Sequence, residues 1–85
     1  MKKSRNSQLA KSSNKFNKLL KGKKIKCARY LTRQEMIGFY WDRCPLAIFF
    51  EDGSFIIPQT DDEGNDGGAM YYGDNKKKDE IIYTM

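Results

Sequence analysis

The sequence predicts a mainly β protein, α+β by content: a small five-stranded antiparallel partial barrel of SH3-like type, with one short helix after the first strand and a flexible basic arm in front. Two observations on composition and one on patterning lead there. The chain has 85 residues, enough for one domain at most. Residues 1–26 carry ten Lys or Arg and no acid, while residues 27–85 carry six basic and eleven acidic side chains. The formal net charge of +5 is therefore a +10 arm joined to a −5 body. Every aromatic except Phe16 follows Lys26, and the apolar residues there fall into short runs bounded by turn residues.

The arm, residues 1–23, has few apolar groups to offset its ordering entropy and reads as largely disordered. Ser13 could cap a turn or two carrying Phe16, Leu19 and Leu20, with Gly22 as the stop. A helix that short is unstable in water unless it docks. Its charges, Lys2, Lys3, Arg5, Lys11, Lys15, Lys18, Lys21 and Lys23, together with Lys24 and Lys26 just after it, suit nucleic-acid phosphates. With no base-reading motif, such binding would be non-sequence-specific and would weaken steeply with salt. Two other readings are a solvated tail and, less well supplied with apolar groups, a contact with an anionic membrane surface.

The domain, residues 24–85, opens with a strand in "KIKCARYL", Lys24 to Leu31. In "LTRQEM", Thr32 and Glu35 form a capping box and Leu31 and Met36 a hydrophobic staple. The helix they start is short, ending near Phe39 to Trp41, weakened by Gly38 and closed off by Pro45. In "PLAIFFEDGSFIIPQ", Asp52-Gly53 suits a two-residue type I′ turn. That turn pairs Phe50 with Phe55 and Ile48 with Ile57 and sets Phe49 against Ile56. Leu46, Ile48, Phe50, Phe55 and Ile57 then form the core face, and the other is covered by the short helix, the favoured reading, or left as an exposed apolar patch for a partner. "AMYYGD" and "EIIYTM" supply the last two strands, with a solvated turn at "NKKKD".

Cys27 and Cys44 stand alone, without a CxxC pair or a histidine, and read as reduced thiols, buried or half-buried. No apolar run reaches the length of a membrane span, and the basic N-terminus lacks the apolar stretch of a secretory signal. The expected location is cytoplasmic.

The acidic stretch "TDDEGNDGGAMYY" has three readings: a tight structural loop, a contact site for a basic partner, and a divalent-metal site. Asp61, Asp62, Glu63, Asn65 and Asp66 are its interaction candidates. Read as a calcium loop from Asp61, position 6 is Asp66 where glycine is required and position 12 is Tyr72 where glutamate is required. The absence of histidine removes the commonest general base. Asp and Asn side chains cap backbone amides in turns, and Gly64, Gly67 and Gly68 open backbone conformations closed to other residues. The structural reading accounts for each residue type, and neither a cofactor, a catalytic residue nor a metal ligand is assigned.

The order "IKCARYLT", "FYWDRCPLAIFFEDGSFIIP", "DDEGNDGGAMYY" and "IIYTM" resembles a group of small, mostly uncharacterised proteins of bacteria and their phages. That group shares a "DDGT"-like hairpin and a "DDEGNDGGAL"-like segment. The resemblance covers residues 25–85, leaves the arm outside, and implies a self-contained domain of bacterial or phage origin. It implies no activity, cofactor or catalytic residue. The leading expectation is a non-enzymatic nucleic-acid-binding protein, with Tyr30, Tyr71 and Tyr72 as stacking candidates. The alternative is a protein-interaction accessory docking through its apolar hairpin or acidic loop.

Overall fold

The computed structural model describes residues 5–74, 76 and 78–85; the arm positions Lys2 and Lys3, and Asn75 and Lys77 of the predicted turn, lie outside the described residues. In chain order the elements are α1 (Arg5–Leu20), β1 (Ile25–Tyr30), α2 (Arg33–Gly38), β2 (Leu46–Phe50), β3 (Phe55–Ile56), β4 (Met70–Gly73) and β5 (Asp79–Ile82). The body is a small α+β unit whose strand–helix–strand order is the one the sequence implies. Its strands form two antiparallel sheets, β1-β2-β3 and β4-β5, which do not close into a barrel.

Where the sequence suggests a loose arm with at most a turn or two of helix, α1 runs for sixteen residues. From Arg5 to Leu20 there is neither glycine nor proline, and Leu9 extends the apolar spacing of Phe16 and Leu20 two turns upstream. The helix stops at Gly22, whose φ of 81° is left-handed. None of its residues is buried. The radius of gyration is 15.3 Å, against about 12 Å for a compact chain of this length. The helix stands out from the body.

Helix α2 is held at both ends by short-range bonds. Thr32 Oγ1 accepts from Glu35 N (3.2 Å) and Glu35 Oε1 accepts from Thr32 N (2.9 Å), completing the capping box. Leu31 and Met36, the staple pair, are both buried in the main core cluster. At the other end Tyr40 N donates to Ile37 O (3.0 Å) and Trp41 N to Met36 O (3.1 Å), a Schellman closure. The left-handed position of that closure is Tyr40, at φ 60°, where glycine is the common occupant. Its side chain is 93% exposed.

The β2–β3 turn differs from the two-residue form. Phe50 N donates to Ser54 O (2.9 Å) and Gly53 N to Phe50 O (3.1 Å), so the loop has three residues, Glu51 to Gly53. Gly53 has φ 91°, and Asp52 is absent from the positive-φ residues, which a type I′ turn forbids. Asp-Gly serves both turns, because each needs glycine at the left-handed position. The ladder slips by one: Ile48 opposes Ile56 and Phe49 opposes Phe55. A slip of one exchanges the faces of β3 relative to β2. Phe55 and Ile57 thereby leave the face of Ile48 and Phe50 for that of Ala47 and Phe49.

The core forms on that second face. Leu31, Met36, Trp41 and Ala47 are buried together, with Cys44, Phe49 and Ile57 packed against them. Thus α2 covers Ala47 and Phe49, while on the predicted core face Phe50 is buried and Leu46 and Ile48 are half-buried. β1 pairs with β2 from Tyr30↔Leu46 to Cys27↔Phe49, then shifts register before Ile25↔Phe50, leaving Lys26 as the extra residue of a bulge. Both cysteines are free; Cys44 is half-buried, its Sγ 3.3 Å from Met36 Sδ, but Cys27 is exposed on β1. β1 is an edge strand exposed from Ile25 to Arg29, so the burial expected for Cys27 does not arise.

β4 and β5 pair from Met70↔Ile82 to Gly73↔Asp79. The hairpin joins the rest of the body through Gln59↔Gly67 and a reciprocal backbone pair, Cys44 N to Met85 O and Met85 N to Cys44 O, each 2.8 Å.

Candidate nucleic-acid interface and the acidic loop

The helical repeat sorts the charged residues of α1 by position. Lys11, Lys15 and Lys18 recur at i, i+4 and i+7 and share one stripe. That stripe spans about 10 Å of helix axis, close to three phosphate steps along one strand of duplex DNA. Leu9, Phe16 and Leu20 share another stripe, with Leu19 beside it and Arg5 one turn ahead of Leu9. There is no acid on the helix, so no intrahelical ion pair neutralises these lysines.

The basic residues after the helix are divided. Lys18, Lys21, Lys23 and Lys24 line an open cleft of about 520 Å³ between the end of α1 and the hairpin loop, opposite Glu51 and Asp52. Lys23 is already engaged: its Nζ pairs with Asp52 Oδ2, donates to Ser54 Oγ (2.9 Å) and lies 5.8 Å from the centroid of the Phe50 ring. The Lys23 and Ser54 bonds hold the Asp52 carboxyl far below its ordinary range. Lys26 sits apart at the bulge. One basic group outside the predicted set joins the sheet surface: Arg29 lies 4.5 Å from the Phe49 ring centroid. Its guanidinium also donates to both Glu35 oxygens (2.9 and 3.1 Å). The Arg29 bond, with that of Thr32, brings the Glu35 pKa down to about 2.

The acidic loop turns two of its carboxylates on the protein's own backbone. Asp61 Oδ1 accepts from Glu63 N (3.0 Å) and Asn65 N (3.2 Å), while Asn65 Nδ2 donates to Asp61 Oδ2 (2.8 Å). Asp66 Oδ1 accepts from Gly67 N (2.8 Å), Arg43 N (2.9 Å) and Asp42 N (3.1 Å), tying the loop to the segment before β2. These bonds lower both pKa values, led by the Asn65 side chain for Asp61 and the Arg43 amide for Asp66. Trp41 Nε1 adds a bond to Gly64 O (2.7 Å).

The glycines let this happen by close approach. A Cβ on Gly67 would lie 2.6 Å from Pro45 Cδ, and one on Gly68 would lie 2.7 Å from the Gln59 carbonyl. Asp62 and Glu63 remain exposed. Among the described residues, no group of three or more His, Cys, Asp or Glu is placed to hold a metal ion. The loop's geometry is what an inward-bonded turn requires, and it leaves Asp62 and Glu63 as its outward charges.

The predicted stacking tyrosines are dispersed. Tyr71 and Tyr72 alternate across β4, exposed; Asp79 raises the pKa of the first, and the second donates to Asp74 Oδ2 (3.2 Å). Tyr30 is half-buried at the end of β1. The most exposed aromatic, Tyr40, escaped sequence reasoning because its position follows from the Schellman closure, for which the chain offers no glycine signal.

No helix among the described residues is long and apolar enough to cross a membrane. Comparison with models of known families, with curated proteins and with solved structures finds no match to this chain.

Proposed function

We propose that the protein is a non-enzymatic binding module that contacts nucleic-acid phosphates through α1 and the lysines that follow it. The observation that carries this reading is α1 itself: sixteen residues without an acid, none buried, with Lys11, Lys15 and Lys18 on one stripe. Such a helix presents three unneutralised ammonium groups at a spacing suited to a phosphodiester backbone. Lys21 and Lys24 extend the surface, and Lys23 serves the body as an anchor. The net acidic part of the chain, residues 27–85, repels phosphate, so affinity resides in the helix and is independent of base sequence. The two sheets are then a passive support, which we read as the open halves of an SH3-like partial barrel.

A salt series of duplex DNA binding tests this. The slope of log K against log salt should fall by about 2 to 3 when Lys11, Lys15 and Lys18 are all changed to Gln. Removing residues 1–23 should abolish binding. An affinity indifferent to that truncation overturns the proposal.

A second reading, docking onto another protein through the apolar hairpin, is favoured by one observation. Phe55 is 57% exposed at the mouth of an apolar groove.

A further inference from the structure

Helix α1 has a second side. Leu9 joins Phe16 and Leu20 in an apolar stripe with Leu19 beside it, and none of the four is buried; Phe16 is 51% exposed. Lys11, Lys15 and Lys18 lie about 150° round the helix from that stripe. The helix has no acid of its own to offset them.

A partner for the whole helix must therefore offer hydrocarbon and negative charge together. Duplex nucleic acid offers the charge, but its phosphodiester exterior gives the stripe nothing apolar to bury against. A second copy has no charge to match. Setting α1 against α1 brings like charges together, and residues 21–85 carry ten basic and eleven acidic side chains, a net charge of −1. A helix seated in a protein groove takes an anchor at i+3 or i+4. After Leu9 those positions are Ser12 and Ser13. An anionic lipid surface supplies both chemistries, and being fluid it needs no anchor at those places.

We propose that α1 lies along the surface of an anionic membrane, with Leu9, Phe16, Leu19 and Leu20 sunk to the acyl boundary. Lys15 Nζ lies 5.4 Å from the Phe16 ring centroid, which sets an ammonium group beside the stripe for the lipid phosphates. Lys11 and Lys18 are on the far side. A helix is only about 10 Å across, so their charges stay within about one Debye length of the headgroups. The helix lies on the bilayer and does not span it, in keeping with its length and polarity. The inference does not depend on nucleic-acid binding, which uses the lysine stripe alone.

Co-sedimentation of nuclease-treated full-length protein with lipid vesicles tests it. Binding is expected to vesicles of mixed phosphatidylglycerol and phosphatidylcholine, and should fade as salt rises. Phosphatidylcholine alone should bind about tenfold more weakly or less. Phe16→Gln changes no charge and should weaken binding to the anionic vesicles by about tenfold or more. Phe16→Trp should keep the affinity, its emission shifting to the blue as the ring leaves water. No binding at millimolar lipid, binding indifferent to Phe16→Gln, or an unshifted Phe16→Trp emission overturns the proposal. So does self-association that Phe16→Gln abolishes and vesicles do not replace, which gives the stripe to a second copy. Phe16 lies off the lysine stripe, so Phe16→Gln should leave the salt slope of duplex DNA binding unchanged, and the two readings fail separately.

Discussion

Helix α1 has sixteen residues and buries none, whereas α2 has six and buries Met36. Length alone would rank them the other way, because an isolated helix needs about 12–15 residues to be even marginal in water. The shorter helix is specified by its surroundings: a capping box in front, a Schellman closure behind, and Leu31, Met36, Trp41 and Ala47 interlocked between them. The longer one has no buried residue to anchor it, and a favourable Lys18 in its last turn. Stability in this protein follows enclosure, not extent. A helix so placed gains most from whatever covers it.

The sharpest way to break that contrast is to truncate one apolar residue in each helix. Met36→Ala should cost about 2–5 kcal/mol in urea unfolding, through lost burial and the cavity left beside Trp41 and Ala47. Phe16→Ala should stay within about 0.5 kcal/mol when measured without lipid. Equal losses would mean that α1 is part of the cooperative unit.

A smaller effect is expected from the caps. Thr32→Ala removes the acceptor for Glu35 N and should destabilise by about 1 kcal/mol. Ser13→Ala, in the interior of α1, should instead raise far-ultraviolet helicity slightly, alanine being the better helix former.

The smallest effect should be on pH dependence. Glu35 has its pKa lowered from 4.5 to about 2 in the folded state. A lowered carboxyl contributes stability that is complete above the unfolded value and is lost as pH falls through the folded one. The unfolding midpoint followed by Trp41 fluorescence should therefore decline between pH 4.5 and 2. Glu35→Gln should blunt that decline, modestly because the Arg29 pair is exposed. Residues 5–20 contain no carboxylate, so their helicity should not follow the curve.

What the sequence disclosed was local. Thr32 and Glu35 lie three residues apart, and a capping box is settled within one turn, so α2 was legible. The strand order was legible too, because apolar runs and turn residues alternate along the chain. The hairpin register was not: Asp52-Gly53 fits a two-residue and a three-residue loop equally, and the difference exchanges Phe55 and Ile57 between faces. The extent of α1 was masked by Ser12, Ser13 and Asn14, which interrupt the apolar stripe between Leu9 and Phe16. In the acidic loop the residue types indicated turn chemistry, yet not that Asp66 would reach the amides of Asp42 and Arg43. That bond depends on a separation of more than twenty residues, closed only by the fold.

The three-stranded sheet has two open borders, and each is made unfit for recruiting a further strand. On the β3 side the border is only two residues long. On the β1 side, the extra residue at Lys26 kinks the row of hydrogen-bonding groups and sets an ammonium group on it. A sheet guarded in this way resists stacking edge to edge into amyloid-like ribbons. Even in a crowded solution, neither border of this sheet should therefore seed fibrils.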